Sequence, residues 1–405
     1  MVRTRACVTA VGLLFTSSLL LVGGCGQPTP RTTNDAVIKA PTVAKEVAPK
    51  IDEMPQLHIA ALGGHNTMHL FPAFGRTFIA ARGYIGEILP TGIAPRPELA
   101  KGLESSSGQP VGFYGDLSTE AYAMAISYGE RSESYDVYKW DGSAWKSAHD
   151  RKSHALGGNA FFNAPNGTVG TFASHTDAPF STIDGKPIVG APQSRFSTIA
   201  SLTDGLLALE AEQYESDAKH APRVVHWTKT GNRTSDLPFA GVSPSTLHVI
   251  QMRAKGSRAM ILATIGTSDN NAESVQPYVA TFDGTVWSRI ECPATMGEPN
   301  VGQLSPDGTL YLRTTTHKAG TGGADVPADH LWVRPVGGTW SSIELPTSAS
   351  GGKCWYQDVE TDESAVWLSA SCDNDEGPQQ VLFTSHPAYA KGRAPEKIGA
   401  PAASQ

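Results

Sequence analysis

Two series of turns run through this chain in constant order, and that order limits its fold more than any other feature. In the first series a turn-forming pair precedes a strongly β-forming run. Phe74-Gly75 stands before TFIAA, Ser118-Thr119 before AYAMAIS, Asn166-Gly167 before TVGTFA and Asp204-Gly205 before LLALEA. Lys255-Gly256 then precedes AMILATI, Asp307-Gly308 precedes TLYLRT, and Asp362-Glu363 precedes AVWLSAS. From Gly75 to Glu363 the intervals average 48 residues. The second series falls later in each unit, at Gly92, Gly142, Gly185, Gly231, Gly284, Gly338 and Gly392, spaced 43 to 54 residues apart. Gly142, Gly185 and Gly284 follow aspartate, and Asp-Gly is the strongest short hairpin signal. Aromatic residues flank several of these turns, as in YKWDGSAW, TFDGTVW and WVRPVGGTW. A proline often closes the strand that follows (Pro192, Pro238, Pro293, Pro346, Pro401), where its missing N–H interrupts no ladder.

Each unit therefore reads as strand, tight turn, strand, longer loop, strand, tight turn, strand. Four antiparallel strands per unit, seven times over, resemble the β-propeller superfamily across residues 56–401. The implied fold is all-β: seven four-stranded blades around a central channel. Composition agrees, with 41 glycines, 28 prolines and 18% charged residues against 40% apolar ones. No subfamily signature is present; the WD40 pairs are absent, and GG-x-W at 337–340 is kelch-like in a single unit. A ring must be closed. The last unit's outer segment, 394–400, is poor in β-formers, whereas Gln56–Leu62 is rich in them. The expectation is that Gln56–Leu62 pairs with blade 7 and ties the N-terminus to the C-terminus.

The first 25 residues are an address. Arg3 and Arg5 precede an apolar run over 8–22 that is short for a membrane span. Leu21-Val22-Gly23-Gly24-Cys25 then resembles the lipobox of bacterial lipoproteins. That resemblance implies cleavage after Gly24, acylation of Cys25 (palmitate among the chains) and a cell-envelope location. Gly26 rather than aspartate after the cysteine favours the outer membrane. Residues 1–24 are thus expected to be signal peptide and 25–55 a lipidated, flexible tether rich in Pro, Thr, Ala and Lys. The propeller follows over 56–401, and 402–405 form a short tail.

The body offers little recognisable chemistry. With Cys7 removed and Cys25 acylated, Cys292, Cys354 and Cys372 remain, and an exported protein permits disulfides. A hairpin centred on Glu363 sets Cys354 opposite Cys372, each nine residues from the centre. The alternatives are three free thiols or a Cys292–Cys354 bridge. His58, His65 and His69 fit no standard metal spacing. Asp373-Asn374-Asp375-Glu376-Gly377 resembles half of a calcium loop, but Thr384 stands where a bidentate glutamate would close it. Calcium is the one cofactor that enters consideration. No nucleophile elbow, P-loop or dinucleotide fingerprint occurs. A net charge of −7 without a basic block excludes a nucleic-acid footprint.

Acids outnumber bases in the expected long loops, 128–136, 173–180, 213–223, 266–277, 316–330 and 372–380. Asp217, Asp269, Glu273, Asp325, Asp329, Asp373, Asp375 and Glu376 mark a candidate acidic ligand face at one end of the ring. Two functions follow as expectations. One is a lipid-anchored binding or scaffold protein with an envelope protein or polysaccharide as partner. The other is a polysaccharide hydrolase or lyase, whose carboxylates would converge in the central funnel from different blades and leave no motif.

Overall fold

The β-forming run after each tight turn becomes the second strand of an antiparallel sheet, and there are seven such sheets. The computed structural model describes residues 57–63, 69–81, 84–89, 92–103, 109–128, 133–148, 159–174, 176–210, 222–238, 247–265, 276–319, 325–345, 354–362, 365–374 and 377–389. All of them lie in the compact unit Glu46–Gln405. The lipobox, Cys25 and the tether fall outside these residues.

Blade 1 takes the strands His69–Ala73, Arg76–Ala81, Tyr84–Leu89 and Gly92–Pro95 in order from the inside outward. Blade 2 spans Gln109–Ser147, blade 4 Phe196–Asp236, blade 5 Leu247–Ile290 and blade 6 Glu298–Glu344, each in the same order. Blade 3 departs from the expected four strands. It has three, Asn159–Asn163, Val169–Ala173 and Phe180–Thr182, and a lone Ser181–Pro187 bridge stands where the fourth would run. Its turn at Gly185 forms, but Val189 and Gly190 lead away into solvent. The innermost strands of the seven sheets touch in cyclic sequence, the last against the first. The ring is a seven-bladed β-propeller.

Closure follows the expected route. His58–Gly63 pairs antiparallel with Gly377–Thr384, His58 opposite Thr384, and becomes the outermost strand of blade 7. The segment 394–400 lies outside the described residues. A second strap was not expected. The 3₁₀ turn Pro387–Tyr389 packs the Tyr389 ring edge-on against Trp367 of blade 7, while its hydroxyl donates to Leu89 O of blade 1 at 2.9 Å.

Second strands are buried on both faces because neighbouring blades cover them. They accordingly read as continuous apolar runs, Leu206-Leu207-Ala208-Leu209 and Ala259-Met260-Ile261-Leu262-Ala263, each residue fully enclosed. Gly205 opens one of them at a tight approach, since a Cβ there would collide with the Trp227 carbonyl oxygen. Apolar clusters fill the interfaces 1–2, 3–4, 4–5, 5–6, 6–7 and 7–1. Among the described residues the 2–3 interface has no such cluster. It is bridged by Phe161, whose ring meets Tyr114 at 6.1 Å and Tyr122 at 6.3 Å.

A one-residue bulge recurs in the innermost strand of blades 2, 4, 5, 6 and 7, at Val111, Ser197, Ile250, Asn300 and Gln357. In blade 7 it decides the disulfide. The hairpin turn is one residue longer than expected, with Thr361 opposite Val366. The bulge at Gln357 takes up the extra residue, so Cys354 still faces Cys372 and the two are joined. Cys292 is a free thiol.

Candidate functional site

Charged side chains from distant segments meet on or beside the innermost strands of blades 1, 5, 6 and 7, at two levels. The level nearer the long connections centres on Asp358, which follows the Gln357 bulge. Its Oδ2 lies 3.1 Å from His69 Nδ1 and accepts the Leu70 N–H at 3.3 Å, joining blade 7 to blade 1. Arg313 of blade 6 donates to the Tyr356 carbonyl of blade 7 and lies 3.8 Å from Asp329 Oδ1 in its own blade. Burial pulls the Arg313 pKa below its ordinary value, and the charges of Asp329 and Asp358 oppose that shift. Asp329 also accepts Thr315 Oγ1 at 2.7 Å. Burial, then the Asp329 charge, push the Tyr356 hydroxyl far above the usual phenol range. Trp355, next on the same strand, is 46% exposed.

The second level lies at the tight-turn end. Glu360 is 4% exposed and accepts Lys255 Nζ at 2.9 Å on one oxygen and Gln303 Nε2 at 2.9 Å on the other. Lys255 also donates to Thr361 O, and Thr361 Oγ1 to Leu304 O. Blades 5, 6 and 7 are thereby tied through one carboxylate. Both oxygens of the Glu360 carboxylate are thus engaged by other blades. The geometry therefore favours locking the ring over proton transfer.

The expected acidic face is only partly visible. Asp217, Asp269, Glu273, Asp375 and Glu376 lie outside the described residues. The other three sit on strands, not in loops. The segments 128–136, 316–330 and 372–380 form hairpin ladders that run beyond the first strands of their blades. Asp325 pairs with Ala319 at the far end of one ladder, Asp329 turns inward to Thr315 and Arg313, and Asp373 pairs with Pro378. The calcium-loop-like stretch continues its ladder, with Asn374 opposite Gly377. Among the described residues no group of three or more His, Cys, Asp or Glu could hold a metal ion. Sequence reasoning missed Asp358, Arg313, Lys255 and Glu360. Their partners are a blade or more away, and the bulge that orients Asp358 leaves no mark in composition.

No protein-family model matches the chain, and no curated protein matches it. Solved structures with a similar backbone path include an ancestral GH74 enzyme, with TM-score 0.44 and 10% identity over 83% of this chain and 49% of that one. A GH74 enzyme of Niastella koreensis matches with TM-score 0.44 and 10% identity, over 80% of this chain and 55% of its own. A polysaccharide lyase matches with TM-score 0.34 and 7% identity, over 79% and 77%. The chain spans about half the length of the two GH74 enzymes. No residue role passes from these proteins to this chain.

Proposed function

We propose that the protein is a lipid-anchored binding or scaffold protein of the bacterial envelope, which offers the hairpin-walled end of its propeller to an envelope partner. One observation carries this reading. The innermost-strand carboxylates Asp358 and Glu360 are each engaged by a side chain of another blade, His69 and Lys255. An acid, base or nucleophile acting on a glycan must be free to meet the substrate; Asp358 and Glu360 instead tie blades together. The lipobox at Cys25 supplies the anchor, and residues 26–55 supply reach.

A photo-crosslinking residue placed at Trp355, on the hairpin-walled end, tests the reading in intact cells. A discrete envelope component should be captured there and not from Thr285, in a turn at the opposite end. Depolymerisation of an envelope polysaccharide by the purified protein, abolished by Asp358→Asn, would overturn it. The second reading, a polysaccharide hydrolase or lyase, has one observation in its favour. His69 and Asp358 meet at one level of the innermost strands, where Arg313 reaches the Tyr356 carbonyl, and Trp355 is exposed on the same strand.

A further inference from the structure

The face that blade 7 turns towards blade 1 changes character along its length. Nearer the tight turn, Trp367 and Leu382 bury it against Leu70 and Ile79 of blade 1. At the end with the long hairpins it becomes polar, and the strand register sets its side chains in rows. Trp355 stands opposite Ser371, and Ser371 opposite Gln380. One row below, Asp358 stands opposite Ser369, and Ser369 opposite Leu382. Opposed residues share a face of a sheet, as do residues two apart along a strand. Trp355, Ser371 and Gln380 therefore lie on the side of Leu382 and Trp367. The alternate side chains, Cys354, Tyr356, Ala370 and Val381, pack into the cluster shared with blade 6.

Three features distinguish the polar end. Trp355 is 46% exposed, because the innermost strand of blade 1 begins at His69, at the level of Asp358, and Trp355 lies beyond it. Gln380 is 3% exposed, yet its Oε1 has no hydrogen-bond partner. A buried acceptor without a donor is rare in a folded protein. Asp358 uses Oδ2 for both His69 and the Leu70 N–H, and among the described residues its Oδ1 accepts nothing. Arg313, whose charge also reaches Asp358, is offset by Asp329 at 3.8 Å.

We infer that this face binds an extended, arginine-bearing segment of a partner polypeptide. The guanidinium stacks on the Trp355 indole and donates to Asp358 Oδ1, while a backbone N–H of the same segment donates to Gln380 Oε1. The unfilled groups select that chemistry. Both are acceptors, so they call for a ligand that brings donors. An aromatic face beside a carboxylate suits a planar cation, which stacks and donates at once. Trp355 and Gln380 stand two strand spacings apart, about 10 Å, a distance that about three extended residues span. The chain as a whole carries a net charge of −7, which favours a cationic segment over an anionic one. The inference rests on the reading of this end as a protein-binding surface and names the chemistry it meets.

The test is calorimetric titration of the full-length protein in detergent with a blocked pentapeptide that carries arginine between two alanine pairs. Citrulline, which keeps the shape and loses the charge, and glutamate replace the arginine in two comparators. The arginine peptide should bind, less tightly as salt rises, and the citrulline peptide about fivefold more weakly or worse. Trp355→Ala should weaken binding about fivefold. Gln380→Met separates a ligand-binding glutamine from a structural one. It should weaken binding about threefold or more without lowering the melting temperature, because the acceptor it removes has no partner in the free protein. No binding at about 10 mM arginine peptide, equal binding of the citrulline peptide, or a Gln380→Met variant that melts earlier and binds as before would overturn the inference. Capture of an envelope protein from Trp355 in cells, with no peptide binding, would remove the arginine site and keep the reading beneath it. Peptide binding with no captured partner would keep the site and remove that reading.

Discussion

At the scale of the residue, buried carboxylates hold the blades in register. Glu360 satisfies Lys255 and Gln303 together, so removing its charge strands an ammonium group that is largely shielded from water. Glu360→Gln should destabilise the protein by about 3 kcal/mol in urea titrations, whereas the paired change Glu360→Gln/Lys255→Met should recover most of that loss. The two measurements together separate an ion-pair lock from simple packing. Cys292 makes a chemical counterpart. Burial pushes its thiol up to about 12, so at pH 8 it is almost wholly protonated. Iodoacetamide should leave its peptide unlabelled in the folded protein and label it after denaturation, as read by mass spectrometry. None of these environments is written in the sequence near the residue concerned. His69 and Asp358 meet across 289 positions of chain.

At the scale of the element, the tight turns were the most legible part of the chain because their chemistry is local. Asp141 and Asp283 each accept N–H groups from their own turns, and Asp116 accepts those of Ser118. Long hairpins were misread for a physical reason. Where a ladder runs beyond the first strand of its blade, as at Thr316–Ala319 against Asp325–Ala328, its sequence carries no continuous apolar run. The fourth strand of blade 3 was expected from Gly185, yet the turn forms without a strand to follow it. Turn aspartates also set an acid limit. The Val286 and Thr285 N–H groups bring Asp283 to about 2, and Lys186 brings Asp184 to the same value. Their folded pKa values lie below those of the unfolded chain. Their contribution is therefore complete above about pH 4 and is lost as pH falls towards about pH 2. Thermal midpoints by circular dichroism should be level from about pH 5 to about pH 8 and fall below about pH 4, and Asp283→Asn should make that fall shallower.

At the scale of the whole molecule, the repeat specifies a ring, and the lipobox-like segment before it is the basis of the proposed anchor. The repeat gave the number of blades and the closing strand correctly, because periodic turns and a missing outer strand can both be counted. What the ring binds could not be read, because its inner rim is assembled from blades far apart in sequence. The anchor has its own test. If Cys25 accepts the lipid as proposed, Cys25→Ser removes the acceptor thiol, and the uncleaved protein should remain attached through its signal segment alone. Replacing residues 1–25 with an ordinary secretory signal should release a soluble domain. The acidic chain has no basic block to hold an anionic surface. Fractionation of both variants checks this, and a truncated domain that still sediments with membranes after a high-salt wash would reveal a second contact.

The strand that closes the ring is the first strand in the chain, and this gives the protein a direction in time. During synthesis and export, His58–Gly63 emerges before any blade, yet its partner Gly377–Thr384 arrives after nearly all the rest. For that whole interval the strand has no mate and must stay extended and unclaimed, so the last step of folding joins the oldest part of the chain to the newest. Once joined, the same strand is the outermost strand of blade 7 and the seam of the ring. Any pull applied to the N-terminal end of the chain would therefore fall first on the seam that keeps the ring shut.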